Sequence, residues 1–245
     1  MISRLVRSLG ALLLIGLAVP ALAGSRPKAV VELFTSQGCS SCPPADELLV
    51  ELAGRPDILA LTLPVDYWDY LGWKDTLAQP AFTARQRAYA SARNDKQVYT
   101  PQVVVNGLKP IVGSDRTKIE GQIAKAAEGR GLPVAIALNE TGSAVSVAID
   151  ASADASLSGE AWLLPIAKSR EVTIARGENK GRTIAYANVV RGLVKLGDWS
   201  GAPIRFEVPL DQARPVEADS YVILVQATAD AKPGIILGAA KGPGL

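Results

Sequence analysis

The chain has 245 residues, of which 48% are apolar, and its 26 basic and 24 acidic residues leave a formal charge of +2 with no histidine. This balance gives no basic surface for nucleic acid, and the lack of histidine excludes Ser-His-Asp and Cys-His catalysis and any metal site that needs imidazole. With two cysteines in all, the fold must rest on a hydrophobic core, since a disulfide-rich scaffold needs many more.

The N-terminal residues have the features of an export signal. Arg4 and Arg7 precede an apolar run at 11–19, and the Ala-Leu-Ala sequence at 21–23 has the form of a signal peptidase site. The apolar run is short for a membrane span of ~20 residues, and no later segment has the pattern of a span. The sequence therefore predicts a signal peptide over 1–23 and a periplasmic or secreted protein, in a compartment where disulfides persist.

Residues 24–130 are predicted to form an α/β domain of order βαβαββα, in which helices cover a mixed sheet. The predicted strands are 28–34, 58–65, 101–106 and 109–112, and the predicted helices are 42–53, 80–92 and one that begins after Ser114 and Asp115. Asn106 and Gly107 together predict a two-residue hairpin turn between the last two strands.

The pattern changes near Gly131, where short alternating strands separated by turn residues begin. The predicted strands are 134–138, 144–149, 161–167, 172–175, 183–196, 204–208, 221–226 and 235–237. About eight strands of this kind predict an all-β, sandwich-like domain over 131–245. The glycine-flanked segment 177–181 lies between two strands, which favours a hairpin turn over a phosphate-binding loop.

Cys39 and Cys42 form a Cys-X-X-Cys motif at the predicted turn from the first strand to the first helix. A thiolate at a helix N-terminus faces unpaired backbone N–H groups, which lower its pKa and make it reactive. Two intervening residues let the second thiol attack a mixed disulfide on the first. The pattern predicts a redox pair with Cys39 as the exposed nucleophile and Cys42 as the resolving cysteine.

Two other readings of the pair stay open. A permanent disulfide would hold the start of the helix, although so small a loop stabilises the fold modestly. The reduced pair could instead bind Cu(I), because thiolates are soft ligands, whereas zinc would lack two ligands. Beyond the redox-active disulfide, the sequence predicts no cofactor and no dedicated metal site.

Several long segments resemble a family of exported bacterial proteins of unknown function that have a thioredoxin-like domain. The matching segments are 31–46, 65–75, 99–107, 176–183 and 188–191. They span most of the chain after the export signal. The resemblance implies a thioredoxin fold for residues 24–130 followed by a β-rich domain, and it supplies no established reaction.

The resemblance also implies roles for three residues. Thr100 and Pro101 match the thioredoxin cis-proline element, which lies against the cysteine pair and presents its backbone to an extended substrate. Glu32 lies in the strand before the motif, where thioredoxins keep a buried acid that helps to deprotonate the second cysteine. The segment from Glu32 to Cys39 is one residue longer than usual, and a buried carboxylate without a catalytic role is the alternative.

An aromatic loop follows the second strand, at the edge of the sheet where ligands tend to bind. Trp68, Tyr70 and Trp73 are predicted to form the wall of a substrate groove, or else to anchor the loop. The sequence thus predicts a periplasmic thiol–disulfide oxidoreductase that acts on an exported protein or a small thiol or disulfide. The alternative is a non-enzymatic exported binding protein with a structural disulfide.

Overall fold

The structure is a computed structural model that describes residues 26–129, 131–229 and 232–245. The predicted signal peptide, 1–23, lies outside the described residues. Within these residues, no helix is both long enough and apolar enough to cross a membrane.

The described parts of the chain form twelve strands and four α-helices. The strands are β1 (Ala29–Thr35), β2 (Ile58–Pro64), β3 (Gln102–Val105), β4 (Pro110–Val112), β5 (Ile136–Glu140), β6 (Ala144–Ile149), β7 (Gly159–Thr173), β8 (Thr183–Val190), β9 (Val194–Trp199), β10 (Ile204–Pro209), β11 (Ser220–Ala229) and β12 (Lys232–Lys241). The helices are α1 (Pro43–Ala53), α2 (Pro80–Arg93), α3 (Arg116–Glu128) and α4 (Leu210–Ala213), with a 3-10 helix at Asp69–Leu71. Up to α3 the elements follow the predicted order βαβαββα, and their bounds differ from the predicted ones by a residue at most.

The strands of the first half lie in a large mixed sheet, which has nine strands within the described residues. Its order is β12-β11-β7-β8-β2-β1-β3-β4, and β9 also pairs with β7. β1 is parallel to β2 and antiparallel to β3, so it lies at the centre of its half. All residues of β1 and β2 are buried, as expected for apolar strands in a sheet that is covered on both faces.

The large sheet continues from the first half of the chain into the second through β2 and β8. Thr62 pairs with Val189, the Thr62 hydroxyl donates to the carbonyl of Ala187 (2.6 Å), and the Asn188 amide donates to the carbonyl of Ala60 (3.0 Å). These contacts make the protein a mixed α/β structure with one large sheet. The division at residue 131 stays a prediction.

The second half is β-rich as predicted, and its strands β7 and β8 continue the sheet of the first half, while a sandwich-like domain of its own stays a prediction. A three-stranded sheet, β10-β6-β5, packs against one face of the large sheet through an apolar cluster that includes Val147, Leu163 and Ile223. The large sheet, which is one of these two packed sheets, therefore contains strands from both halves of the chain. The predicted strands 161–167 and 172–175 are one strand, β7, whose polar and largely exposed end pairs with β8.

The two faces of β1 point to different helices. Val31 and Leu33 pack with the apolar residues of α1 and α3, whereas Val30 and Phe34 pack with α2 and with strands of the second half. Because side chains alternate along a strand, Glu32 lies on the α2 face and Thr35 on the α1 face. This alternation decides which side chains approach the cysteine motif.

Candidate functional site

The cysteine motif occupies the turn between β1 and α1, as the sequence predicts. Cys39 and Cys42 form a disulfide with their Cα atoms 5.4 Å apart. The carbonyl of Cys42 accepts from the N–H groups of Ala45 (2.8 Å) and Asp46 (3.1 Å), so the helix begins at the second cysteine. Proline in the first turn of α1 is tolerated because an N–H at that position has no partner within the helix.

Both cysteines are buried, and the prediction that Cys39 is exposed is wrong for the disulfide form. Cys39 is 1% exposed and Cys42 is 0% exposed. The loop between β7 and β8 docks on the turn through Asn179, itself 2% exposed. The side-chain amide of Asn179 donates to the carbonyls of Gln37 (2.9 Å) and Cys39 (2.8 Å). Sequence reasoning assigned this loop to a hairpin and missed the contact.

The aromatic loop holds the same turn from another side. The indole N–H of Trp73 donates to Oε1 of Gln37 (2.8 Å), and Oδ2 of Asp75 accepts from the backbone N–H of Gln37 (2.8 Å). Oδ1 of Asp75 accepts from the N–H of Leu77 (2.8 Å). Burial, offset in part by these hydrogen bonds, raises the pKa of Asp75 to about 6. Sequence reasoning did not single out Asp75.

Trp68 connects the cysteine turn to the segment before β3. Its indole N–H donates to the Thr100 hydroxyl (2.8 Å), and its Cβ is near Gly38, where an added Cβ would lie 3.1 Å away. Trp68 and Trp73 are therefore half-buried, hydrogen-bonded neighbours of the turn, while Tyr70 is 79% exposed. This geometry fits the anchoring alternative for the two tryptophans, and a groove built on the three aromatics stays a prediction.

The Thr100–Pro101 peptide bond is cis, as predicted. A Cβ added to Gly113 would lie 2.8 Å from the Pro101 Cβ and 3.0 Å from the Ala45 Cβ. Pro101 and the first turn of α1 are thus separated by little more than the backbone of Gly113. The cis-proline segment and the cysteine turn therefore lie on the same side of the sheet.

Glu32 is fully buried, but it bonds to α2 and not to the cysteine turn. Oε1 accepts from Nε of Arg85 (2.7 Å) and Oε2 accepts from the hydroxyl of Tyr89 (2.6 Å). The Tyr89 hydroxyl also accepts from Nε2 of Gln226 (2.8 Å). Both carboxylate oxygens are engaged on the sheet face opposite α1. This position favours the alternative of a satisfied buried carboxylate.

A second buried acid, Asp46, lies in α1 one helical turn after Cys42. Its Oδ1 accepts from the Thr35 hydroxyl (2.7 Å), while its Oδ2 is buried without a hydrogen-bond partner. Burial raises the pKa of Asp46 well above its usual value. The hydroxyl of Tyr186 in β8 is also buried and unpartnered, and burial, followed by the nearby Asp46 and Asp75 carboxylates, raises its pKa. The sequence carries a signal for Asp46, an acid four residues after Cys42 on an otherwise apolar helix face.

A groove of about 640 Å³ lies beside the turn, between α1 and the start of β8. Pro43, Glu47 and Val50 line one side, and residues 182–185 line the other. Because Pro43 directly follows Cys42, this groove is next to the disulfide. The described residues contain no cluster of three or more side chains suited to a metal ion.

Fold and site together define a mixed α/β protein with a Cys-X-X-Cys disulfide at a strand-to-helix turn. The chain belongs to the family described as Protein of unknown function (DUF1223), whose model matches residues 30–226. No curated protein matches the sequence.

Two solved structures are similar to this protein. An X-ray structure of a protein from Agrobacterium tumefaciens is 34% identical, with a TM-score of 0.79 over 90% of this chain and 96% of that one. HBP35 of Porphyromonas gingivalis is 14% identical, with a TM-score of 0.59 over 88% of this chain and 74% of that one. At that identity, the second likeness is one of fold alone.

Proposed function

We propose that this protein is an exported thiol–disulfide oxidoreductase with a thioredoxin-like first half, which uses Cys39 and Cys42 as its redox pair. The observation that carries the proposal is the disulfide between the two cysteines at the N-terminus of α1. A helix N-terminus stabilises a thiolate there. The position of Pro101 next to the first turn of α1, across Gly113, adds support.

The chemistry is thiol–disulfide exchange, which needs no metal or organic cofactor. A substrate thiolate attacks Sγ of Cys39, the Cys39–Cys42 bond breaks, and Cys42 leaves with the electron pair. A second substrate thiolate then attacks the mixed disulfide and releases Cys39, so the substrate is oxidised and the protein is reduced. The reverse sequence reduces a substrate disulfide. Substrates would be exported proteins or small thiols and disulfides.

The burial of the cysteines supports a second candidate function. With Cys39 and Cys42 almost fully buried and Asn179 bonded to the turn, a large substrate reaches sulfur only if the loop around Asn179 moves. A structural disulfide in an exported binding protein needs no such motion. Access and redox potential therefore separate the two candidates.

The redox potential of the purified protein tests the proposal. Equilibration in glutathione or dithiothreitol buffers, followed by alkylation of free thiols, gives the potential of the pair. A redox-active pair should lie above about −300 mV and a structural disulfide below it. The same protein should reduce insulin in the presence of dithiothreitol, and the C39S/C42S double variant is the control. A potential below this limit together with no insulin reduction would show that the disulfide is structural and that the protein is not an oxidoreductase.

The C42S variant adds a test of the roles. If Cys39 is the nucleophile, C42S should accumulate a mixed disulfide with a protein substrate, whereas C39S should not. Binding of Cu(I) by the reduced wild type, lost in both single variants, would instead support the metal-binding alternative.

A further inference from the structure

Reduction of a buried disulfide requires protons, and the surroundings of this disulfide restrict where they come from. Opening the Cys39–Cys42 bond leaves an electron pair on Cys42, which is 0% exposed. A thiolate that stays away from water is costly unless it is stabilised or protonated. A proton source inside the protein would remove this cost.

We propose that Asp46 donates a proton to Sγ of Cys42 when the disulfide opens, and takes it back when the disulfide forms. The inference rests on the redox function proposed above and names a further residue of that site. The role falls to Asp46 and not to Glu32, whose two carboxylate oxygens are engaged by Arg85 and Tyr89 on the other face of the sheet.

The position of Asp46 in α1 brings its carboxyl group toward the second cysteine. The N–H of Asp46 donates to the carbonyl of Cys42 (3.1 Å), so the two residues are one helical turn apart and lie on the same helix face. Helical side chains lean toward the N-terminus of their helix, which is where Cys42 lies. The hydrogen bond from Thr35 fixes Oδ1 and leaves Oδ2 free to exchange a proton.

The groups around Asp46 favour its protonated form. Burial is the largest influence and raises its pKa well above the usual value, the negative charges of Asp75 and Glu47 raise it further, and the hydrogen bond from Thr35 lowers it. From β8, Tyr186 adds a buried hydroxyl without a partner. Among these groups none is basic, so Asp46 can hold a proton while the disulfide is intact.

The step balances in protons and electrons. The incoming thiolate bonds to Sγ of Cys39, the disulfide electron pair moves to Sγ of Cys42, and the proton of Asp46 moves to that sulfur. The products are a mixed disulfide on Cys39, a neutral thiol on Cys42 and a carboxylate on Asp46. When the disulfide forms again, the Cys42 thiol gives this proton back to the Asp46 carboxylate as its sulfur attacks the mixed disulfide on Cys39, and the substrate leaves as a thiolate.

The test is the pH dependence of disulfide opening by dithiothreitol in the full-length mature protein. The rate constant is expressed per reagent thiolate, which removes the titration of the reagent. For the wild type, the rate should be constant below the pKa of Asp46 and should fall above it. For Asp46→Asn it should be about a hundredfold lower at low pH and should show no inflection, as for the loss of a general acid. Glu51→Gln, which removes an exposed carboxylate on the same helix, should keep the wild-type profile.

Two results would overturn the proposal. A wild-type profile without an inflection contradicts it directly. An Asp46→Asn rate that is high and independent of pH would mean that Asp46 acts only by repelling the incoming thiolate. If Asp46→Asn does not fold, Thr35→Val serves instead. The hydrogen bond from Thr35 lowers the pKa of Asp46, so its removal should raise that pKa and move the inflection to higher pH. A small reagent opens even a structural disulfide, so failure here is distinguishable from failure to act on insulin.

Discussion

The side-chain amide of Asn179 lies 2.8 Å from the carbonyl oxygen of Cys39 and donates a hydrogen bond to it. The two residues are 140 positions apart in the chain. Asn179 comes from the loop between β7 and β8, so the second half of the protein supplies part of the cover over the disulfide. The β-rich half is therefore part of the candidate site and not only an attached domain.

Asn179→Ala should weaken the contact between the β7–β8 loop and the cysteine turn. The variant loses the hydrogen bonds to the buried carbonyls of Gln37 and Cys39, of which that of Cys39 keeps the backbone N–H of Cys42 (3.2 Å), and this loss should destabilise the protein by about 1–3 kcal/mol. The disulfide should also react faster with dithiothreitol. Urea unfolding and alkylation after timed reduction measure the two effects. Lys180→Ala, an exposed neighbour in the same loop, should change neither, and an unchanged reduction rate in Asn179→Ala would show that this loop does not control access.

Asp75 should make stability depend on pH in the acidic range. Its pKa is raised to about 6 in the folded protein from the ordinary 3.8, so the folded state binds the proton more tightly than the unfolded state does. The resulting stabilisation is fully present below about pH 4 and is lost as the pH rises through about 6, by an amount on the order of 3 kcal/mol.

Comparison of wild type with Asp75→Asn measures this effect together with the change at Asp46, whose pKa the charge of Asp75 helps to raise. Urea unfolding between pH 4 and 7 should show a weaker fall of stability with rising pH in Asp75→Asn. Glu178→Gln removes an exposed carboxylate and should follow the wild type. Parallel curves for wild type and Asp75→Asn would show that Asp75 titrates alike in the folded and unfolded states.

Trp68 should contribute to stability through its contacts with both Thr100 and the cysteine turn. Trp68→Phe keeps an aromatic ring and loses the hydrogen bond, so we expect a loss of about 1 kcal/mol. Trp68→Ala should cost about 3 kcal/mol, as for other large aromatic truncations. Tyr70→Ala, at a side chain that is 79% exposed, should stay within about 0.5 kcal/mol.

Activity on these variants separates an anchor from a groove wall. If Trp68 is only an anchor, thermal stability falls while the ratio of the insulin rate to the dithiothreitol rate stays constant. A selective loss of the insulin rate in Trp68→Ala or Tyr70→Ala would instead support the groove predicted from sequence, since an aromatic anchor contributes contact area to a large substrate.

The first half of the fold was predictable because its signals are local. Apolar runs fix β1 and β2, proline marks the start of α1 and α2, and Asp115 caps α3 by accepting from the N–H of Lys118. Asn106 and Gly107 both have positive φ, at 48° and 72°, and the N–H of Leu108 donates to the carbonyl of Val105. This geometry is the two-residue turn that Asn106 and Gly107 predict from the sequence.

The joining of the two halves and the cover over the disulfide were not predictable, because both depend on contacts between distant residues. Nothing local to Asn188 indicates that its side chain donates to Ala60 and helps to join β8 to β2. In the same way, Asn179 is a turn residue by sequence and a buried contact of Cys39 in the structure. The resemblance to thioredoxins implies Glu32 as the acid of the site, with a satisfied buried carboxylate as the alternative, because the position of a residue in a strand does not show which helix its side chain faces.

Glu32 should prove to be a stabilising residue whose loss leaves the disulfide chemistry unchanged. It forms a buried ion pair with Arg85 and accepts from Tyr89. Arg85→Met removes the cation and leaves the carboxylate buried, so we expect a loss of about 3–5 kcal/mol. The double variant Glu32→Gln/Arg85→Met removes both charges and should recover part of that loss in urea unfolding.

The decisive measurement is the pH profile of disulfide opening in Glu32→Gln. Because Glu32 bonds to α2 on the face opposite α1, its neutralisation should leave the inflection and the rate per reagent thiolate as in the wild type, whereas Asp46→Asn should remove the inflection. If Glu32→Gln removes the inflection and Asp46→Asn keeps it, the proton of Cys42 passes through Glu32, and the role predicted from the sequence is the correct one.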